Sequence, residues 1–493
     1  MPTSSVVIEA HHITVAVGSK TILNDISFTV RKGHAWAIVG PSGSGKSTLM
    51  RVIAHRLPIT SGSLQHHLAS DDKMVMVEQQ HRYKNRTDAS ATYYQARFES
   101  VNDDEFPEVG AIMKEHSPKT RSEADKDVEE VLALLQISHL QHTRLIQLSS
   151  GENKRFQLAK ALVQHPSVLL LDNPFVGLDQ ATRTVLHNVI NTLVTRGTTV
   201  LLITSSTEIP ESTTHVMELQ EGRLTQAVSR DAFTEQRPES LLPSTDSPLA
   251  PEVLASLPTT PDPSFNVAIQ MRDVSVKYEG KMILDHVHWQ VNRGDKWALT
   301  GPNGAGKSTL LSLINGDNPQ AYANDISLFD KKKGSGESIW DVKRRIGYVS
   351  SELHLYFDRY QTCFKAVASG LTDTMVYDKR LSEDQRATVD QWLAIFRLSH
   401  RREAPLATLP LSEQRLVLLA RAMVKNPPVL ILDEPCQGLD RLQTHRFRAT
   451  VDALCRSFEK TLIFVSHYQE DIPECVNRML VLKAGKAREV SFP

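Results

Sequence analysis

The sequence predicts an α/β protein made of two homologous domains in tandem, each with a mainly parallel sheet. The first observation behind this prediction is an internal repeat: GPSGSGKST at 40–48 recurs as GPNGAGKST at 301–309, and LLLDNP at 169–174 recurs as LILDEP at 430–435. Both pairs are separated by the same 261 residues. Because solenoid repeats are only about 20–50 residues long, this spacing indicates two whole domains.

The second observation is the alternation of short apolar runs with helical stretches, which is typical of a sheet covered by helices on both faces. In the first half it predicts strands at 22–30, 35–39, 168–171 and 199–203, and helices from Gly45 onward, at 156–164 and at 181–196.

The segment between the two halves differs in composition from both of them. Residues 237–265 contain seven prolines with many Ser and Thr, which indicates an extended linker without a core of its own. We therefore expect a first domain over 1–236 and a second domain over 266–493.

The composition excludes several classes of protein. The 493 residues carry 56 Lys and Arg against 57 Asp and Glu, a net charge of −1 that gives no overall positive field for nucleic acid. The four cysteines form no C-x-x-C pair, which argues against a zinc site or a disulfide scaffold. No apolar run approaches the roughly 18 residues of a membrane span. The N-terminus lacks a secretory pattern, so we expect a cytoplasmic chain, with peripheral attachment to the inner face of the cell membrane left open.

Each GPxGxGKST copy follows an apolar run and fits G-x-x-x-x-G-K-[ST], a loop that cradles phosphate at the start of a helix. Its glycines let backbone N–H groups approach phosphate oxygens, Lys46 or Lys307 neutralises the β- and γ-phosphates, and the next serine ligates Mg²⁺. A glycine-rich turn with a chance lysine is the alternative, and two copies in the same context argue against it. The sequence therefore predicts two ATP per chain, bound with Mg²⁺. The expected contacting residues are Gly40, Pro41, Ser42, Gly43, Ser44, Gly45, Lys46, Ser47 and Thr48 in the first copy, and Gly301, Pro302, Asn303, Gly304, Ala305, Gly306, Lys307, Ser308 and Thr309 in the second.

Asp172 and Asp433 each end an apolar run at the same offset as the loops. Such an Asp is often a plain strand end, but its pairing with a phosphate loop in both halves favours a role in holding Mg²⁺ through water. The predicted metal ligands are thus Ser47 and Asp172 in the first half, and Ser308 and Asp433 in the second.

Leu148-Ser-Ser-Gly-Glu152 resembles the LSGGQ signature of the ATP-binding-cassette (ABC) ATPases, and the chain outside the linker is similar to a tandem pair of such cassettes. In the second half, GDNPQAYAND at 316–325, KGSGESIWDV at 333–342 and IGYVSS at 346–351 resemble the ModF-type (photorepressor) proteins of molybdate uptake systems. The resemblance implies ATP hydrolysis by two P-loop NTPase domains. It also implies that an antiparallel β subdomain and a helical subdomain flank each parallel sheet.

In this family two cassettes close head to tail, so the resemblance implies that each ATP lies between the phosphate loop of one half and the signature of the other. One site would combine the loop at 301–309 with the first signature, where Ser149 and Gly151 would reach the γ-phosphate held by Lys307. The other site would combine the loop at 40–48 with the second signature.

The second signature is assigned to 409–413 (LPLSE) by the constant offset. It has Pro410 where the family has the serine that contacts the γ-phosphate, and proline offers neither a hydroxyl nor a backbone N–H. A shifted reading that begins at Leu411 and Ser412 is open but breaks the offset, so we prefer the first.

The two sites differ at the positions that the family uses for hydrolysis. Glu434 follows Asp433 where the family polarises the attacking water, and His467 matches its switch histidine at the end of a later apolar run. The corresponding residues of the first half are Asn173 and Ser205. The resemblance therefore implies that the site built on the second-half loop is hydrolytic, and that the other site has lost its base and its switch.

Two further positions differ between the halves. Tyr278, 23 residues before Gly301, fits the aromatic residue that stacks on adenine, although ordinary packing is the alternative; the first half has Val17 there. Gln79 fits the glutamine that follows the loop and senses the transport partner, whereas the second half has Ser351.

The function that follows from these features is an energy-coupling ATPase subunit of a transport system, with a molybdate system as the one implied by the resemblance. Its partner would be a membrane permease bound through the helical subdomains. The alternative is a soluble tandem-cassette regulator or translation-type factor that binds ribosome or nucleic acid. Because the linker is proline-rich and one site lacks the base and switch residues of the family, we favour the transport role and expect no nucleic-acid partner.

Overall fold

The computed structural model of the protein describes residues 5–18, 20–78, 107–118, 121–145, 148, 150–234, 249, 265–278, 280–350, 353, 357, 360–374 and 380–491. The described residues divide into two compact units, one over 5–234 and the other over 249–491.

The first unit contains nine strands and five helices among its described residues. They are β1 Val6–Val17, β2 Lys20–Arg31, β3 Ala35–Val39, α1 Lys46–Ile53, β4 Ser61–His66, β5 Met74–Val77, α2 Val109–His116, α3 Arg121–Leu134, α4 Ser150–Leu162, β6 Val168–Asp172, α5 Gln180–Thr195, β7 Thr199–Ile203, β8 His215–Gln220 and β9 Arg223–Ser229.

The second unit repeats this order with a short strand and a helix added after its fourth strand, counted over the part of the chain that is described. Its elements are β10 Val267–Tyr278, β11 Lys281–Asn292, β12 Lys296–Thr300, α6 Lys307–Asn315, β13 Asp325–Leu328, β14 Lys331–Lys332, α7 Ile339–Arg345, β15 Ile346–Ser350, α8 Cys363–Ala368, α9 Glu383–Ile395, α10 Leu411–Met423, β16 Val429–Asp433, α11 Arg441–Phe458, β17 Thr461–Val465, β18 Arg478–Lys483 and β19 Lys486–Ser491.

Each unit has one large and one small sheet. The large sheets have the orders β5-β6-β7-β3-β8-β9 and β15-β16-β17-β12-β18-β19, in which all strands are parallel except the last, which is antiparallel to its neighbour. The small antiparallel sheets have the orders β2-β1-β4 and β11-β10-β13-β14. The predicted α/β fold with an antiparallel β subdomain in each domain is confirmed.

The central strands are apolar on both faces because both faces are covered. In β6, Leu169 and Leu171 belong to the core shared with α2, α3 and α4, whereas Leu170 belongs to the core shared with β1, β2 and α1. The edge strand β9 instead alternates exposed and half-buried residues. This is the difference expected between a doubly covered parallel strand and an edge strand.

A layer of helices completes each unit. In the second unit, α8, α9 and α10 share one core with the large sheet, in which Trp392 is 1% exposed. The helices α5 and α11 have Asp179 and Asp440 as their N-caps. The carboxylate of each N-cap accepts a hydrogen bond from a backbone N–H group in the first turn of its helix. The helical subdomain implied by the family resemblance is therefore present in both units.

Most predicted elements of the first half are confirmed, with shifted ends. The strands at 35–39 and 199–203 match β3 and β7. The helix predicted over 156–164 instead runs over Ser150–Leu162. Its first turn contains Ser and Gly, residues of low helix propensity, which concealed its start.

Two described residues of the predicted linker are part of cores in the second unit. Phe265 is 3% exposed in the core that contains side chains of β10 and β11. Leu249 is fully buried among the apolar side chains of the second unit's helical layer. Among the residues that the structure describes, no helix is both long enough and apolar enough to span a bilayer.

Candidate functional site

Both phosphate loops lie at the carboxyl end of a central parallel strand. The first loop joins β3 to α1, and the second joins β12 to α6. Gly40 has φ of +133° and Gly301 has φ of +146°, and a Cβ on either would lie 2.1 Å from a carbonyl oxygen of the neighbouring strand. Only glycine fits there without strain, so the loops can follow this path because of their sequence.

The two loop lysines make the same contacts. Lys46 Nζ donates hydrogen bonds to the carbonyl oxygens of Gly40 and Pro41, both at 2.7 Å. Lys307 Nζ donates to those of Gly301 and Pro302, at 2.8 and 3.0 Å. Each ammonium group is thereby held across its own loop, beside the backbone N–H groups that begin α1 or α6, an arrangement suited to polyphosphate.

Asp172, predicted to help hold Mg²⁺, lies at the end of β6 and is 5% exposed. Burial raises the pKa of its carboxyl group, and hydrogen bonds from Ser47 and Asn173 act in the opposite direction. The Asn173 Nδ2 group donates to Asp172 Oδ1 at 2.8 Å. Because a hydroxyl and a carboxylate are oxygen ligands that Mg²⁺ prefers, Ser47 and Asp172 together fit that ion.

Asp433 occupies the equivalent place at the end of β16. The hydroxyl of Tyr348, in β15, donates to Asp433 Oδ2 at 3.3 Å. Ser308 lies in the first turn of α6 with its side chain exposed. Met76 in β5 and Tyr348 in β15 each come directly before the last apolar residue of their strand. The first unit therefore has Met76 at the position of Tyr348.

Glu434 and His467 are in contact. Glu434 Oε1 lies 2.7 Å from His467 Nε2, and the histidine side chain is 5% exposed. The contact does not have the geometry of an aligned hydrogen bond. An aligned hydrogen bond reaches the other oxygen, from Gln437 Nε2 to Glu434 Oε2 at 3.1 Å. The predicted base and the predicted switch residue thus form one cluster.

The first unit has a different arrangement at the same positions. Asn173 turns its amide toward Asp172, and the Ser205 hydroxyl lies 3.1 Å from that of Thr207. Neither side chain can accept a proton from water at neutral pH. Asn173 has φ of +49° and Glu434 has φ of +48°, so both units use a left-handed residue directly after the strand.

The signature helices α4 and α10 begin at Ser150 and Leu411, which are again 261 residues apart. This agrees with the constant-offset assignment, in which Pro410 is the second-half residue equivalent to Ser149. Pro410 precedes the first turn of α10 as its N-cap, without a side-chain capping bond. Gly151 is buried in the first turn of α4.

Tyr278 is the last residue of β10 and is half-buried. Its hydroxyl accepts a hydrogen bond at 2.8 Å from Asn318 Nδ2, which also donates to Ser312 Oγ in α6. Burial raises the pKa of the phenol. The ring is thus fixed near the end of the phosphate-loop helix, and its role as a platform for adenine stays a prediction.

Two predicted site residues, Gln79 and Ser149, lie outside the described residues, as does Ser351. Two residues of the second site were missed in the sequence, Tyr348 and Gln437. The sequence did contain a signal for Gln437. The constant offset of the repeat aligns Gln437 with Val176, just as it aligns Glu434 with Asn173, so the two halves differ at both positions.

Comparison with known proteins identifies the family. The family model described as ABC transporter matches residues 23–176 and 284–437, each stretch running from before the phosphate loop to just after the strand that ends in Asp172 or Asp433. The chain belongs to the ABC transporter family. ATP-binding domains of ABC transporters are ATPases, so the protein is a tandem ABC ATPase.

Several relatives match both cassettes. The ABC transporter ATP-binding protein ModF of Escherichia coli is 36% identical, with 92% of each chain covered. An uncharacterised ABC transporter ATP-binding protein of Schizosaccharomyces pombe is 32% identical over 94% of this chain and 95% of its own. The predicted resemblance to ModF-type tandem proteins is confirmed.

More distant matches extend over the whole chain as well. The xylose import ATP-binding protein XylG of Thermoanaerobacter pseudethanolicus is 24% identical over 98% of this chain and 95% of its own. Among solved structures, the archaeal ribosome recycling factor aABCE1, in complex with the ribosomal stalk protein aP1, matches with a TM-score of 0.53 at 17% identity. That match covers 97% of this chain and 89% of the other, and it shows a shared fold.

Proposed function

We propose that the protein hydrolyses ATP at the site built on Lys307 and Glu434, and that it binds ATP without turnover at the site built on Lys46. The observation that carries the proposal is the cluster of Asp433, Glu434 and His467, against Asp172, Asn173 and Ser205 in the first unit. A carboxylate that can accept a proton is present in one cluster, and a neutral amide takes its place in the other.

The proposed chemistry follows from the roles of these side chains. Glu434 takes a proton from the water molecule that attacks the γ-phosphorus, the bond to the β,γ-bridging oxygen breaks, and ADP and phosphate leave. Lys307 and the loop N–H groups stabilise negative charge on the phosphate oxygens. His467, within 2.7 Å of Glu434, supplies a polar side chain beside the base. Mg²⁺ bound with ATP, held by Ser308 and Asp433, would supply further positive charge at the same oxygens.

The first site keeps the residues for binding. Its loop, its lysine and the contact between Ser47 and Asp172 are all present, and its losses concern the base, the switch and the adenine platform. We propose that it holds Mg-ATP as a stable clamp.

Nucleotide content tests the clamp. A chain with Glu434→Gln is expected to retain two nucleotides per chain after incubation with Mg-ATP, because both phosphate loops are intact. Adding Lys46→Ala is expected to lower the content to about one, since that change removes the ammonium group that neutralises phosphate. Quantification of bound nucleotide after gel filtration measures both values.

The matched control for this experiment is Lys307→Ala. It is expected to lower the bound nucleotide to one per chain by emptying the second phosphate loop instead of the first. A firm content of one nucleotide in the Glu434→Gln chain, unchanged by Lys46→Ala, would show that the first loop binds no ATP.

We further propose that the two cassettes pair head to tail, as in the family, so that Ser149 and Gly151 belong with Lys307. Support comes from the matching start of α4 and α10, because the N-terminus of each helix offers N–H groups and a positive dipole to an anion.

The partner of such an ATPase would be a membrane permease, and the resemblance to ModF makes a molybdate system the first to examine. The supporting comparisons are relatives whose names describe transporter ATP-binding proteins. Purification of the tagged chain from its own cells, with detergent, is expected to recover permease subunits in stoichiometric amount. Recovery of ribosomal proteins instead would overturn the transport role and favour a translation-type factor.

A further inference from the structure

The turn between β16 and α11 places an amide against the predicted base. Gln437 Nε2 donates to Glu434 Oε2 at 3.1 Å, while His467 Nε2 lies 2.7 Å from Oε1. The two oxygens of one carboxylate are therefore engaged by two different side chains. Of the two contacts, the bond from Gln437 has hydrogen-bond geometry.

The backbone of Gln437 is fixed as well. Its N–H donates to the Glu434 carbonyl at 3.1 Å, which closes the turn. Its carbonyl accepts a hydrogen bond at 3.2 Å from Arg415 Nη2, a guanidinium group of α10 that is 2% exposed. The same guanidinium reaches the carbonyl of Ser350 at the end of β15. The backbone that carries the Gln437 side chain is thus fixed by the buried Arg415 of the same unit.

A glutamine suits this task better than a charged donor would. Its amide is neutral, so it can orient the carboxylate without pairing its charge, whereas a lysine or arginine there would form an ion pair with it. The hydrogen bond also restricts the rotamers of Glu434, which otherwise has three rotatable bonds.

The first unit lacks this arrangement where it lacks the base. Val176 stands at the position of Gln437 and has no donor in its side chain, and the side-chain amide of Asn173, at the position of Glu434, donates to Asp172. The amide donor is therefore found in the unit that has a carboxylate to hold.

We propose that Gln437 is a positioning residue of the hydrolytic site: its amide fixes Glu434 in the orientation from which the carboxylate takes the proton of the attacking water. This proposal rests on the proposed role of Glu434 as the base. Gln437 acts through Glu434 and makes no contact with the reacting atoms in this account.

The test replaces Gln437 by Met, which keeps the length and most of the volume of the side chain but removes the donor. We expect kcat to fall about tenfold with KM for ATP unchanged, because a hydrogen bond to a charged group is lost while the phosphate loop is untouched. The split between a lowered kcat and an unchanged KM is the diagnostic result. A purely structural role for Gln437 would not lower kcat selectively in a folded chain.

Further variants separate the possible failures. Gln437→Ala gives a second chain without the donor, and thermal unfolding checks that each variant folds. Val176→Met, at the matching position of the first unit, is expected to leave both kcat and KM unchanged. In a Glu434→Gln background, Gln437→Met is expected to add little further loss, because the two residues act as one unit.

Two results are decisive. If Glu434→Gln itself kept wild-type turnover, the proposed base would be wrong and the positioning role would fall with it. If Glu434→Gln stopped turnover but folded Gln437→Met and Gln437→Ala kept the wild-type kcat, Glu434 would stand as the base and the role of Gln437 would be refuted.

Discussion

Replacement of Glu434 by glutamine is expected to lower steady-state ATP turnover by about 10²–10⁴-fold, the usual contribution of a general base. The change is nearly isosteric, and an amide oxygen can still accept the hydrogen bond that Gln437 donates to the carboxylate. What is lost is the capacity to take a proton from water. Phosphate release from purified protein measures the rate, and equilibrium dialysis with ATP checks that binding is retained.

The matched control is Asn173→Ala, at the same turn of the first unit. It is expected to change turnover little, because Asn173 cannot act as a base and its amide serves Asp172. Wild-type turnover in the Glu434 variant, or a large loss in the Asn173 variant, would mean that the hydrolytic site has been assigned to the wrong half.

Replacement of Ser149 by arginine is expected to stop turnover, with a loss comparable to that of the Glu434 variant. In the proposed head-to-tail pairing, Ser149 lies beside the γ-phosphate held by Lys307, and a long cation there blocks closure and removes the hydroxyl. Turnover is measured in steady state, and ATP binding at low temperature shows whether the phosphate loops still load.

The comparison variant is Pro410→Arg, at the N-cap of α10. We expect a milder loss, because the site that Pro410 faces in this pairing has no base and its signature position has no hydroxyl to lose. An equal loss in the two variants, or a greater loss for Pro410→Arg, would contradict one of two proposals: the head-to-tail pairing, or the assignment of the Lys46 site as the one without turnover.

The sequence was most informative where a residue type is dictated by backbone geometry or by a continuous apolar run. The loop glycines could be predicted because no other residue fits beside the neighbouring carbonyl oxygens, as at Gly40 and Gly301. The strands β3 and β7 could be predicted because both of their faces are buried.

The sequence was less informative where contacts depend on side-chain direction. The start of α4 was missed because propensity does not favour its first turn. The bonds of Gln437 and Tyr348 to the acidic residues of the second site depend on side-chain orientations that no motif encodes. A row-by-row comparison of the halves shows Val176 and Met76 at those positions and could have drawn attention to both.

The left-handed residue after Asp172 and Asp433 makes loss and recovery of activity thermodynamically unequal. Asparagine is one of the few residues that adopt this conformation readily, whereas a residue such as Glu434, at φ of +48°, pays roughly 1 kcal/mol for it. A Glu-to-Asn exchange at this turn therefore removes the proposed base and relaxes the backbone in a single step. The reverse exchange at Asn173 would bring the strain back, and under the proposed roles Ser205 and Val176 would also have to change before activity returned. In this backbone term, loss of the proposed base lowers the strain of the turn, whereas its recovery raises the strain by roughly 1 kcal/mol.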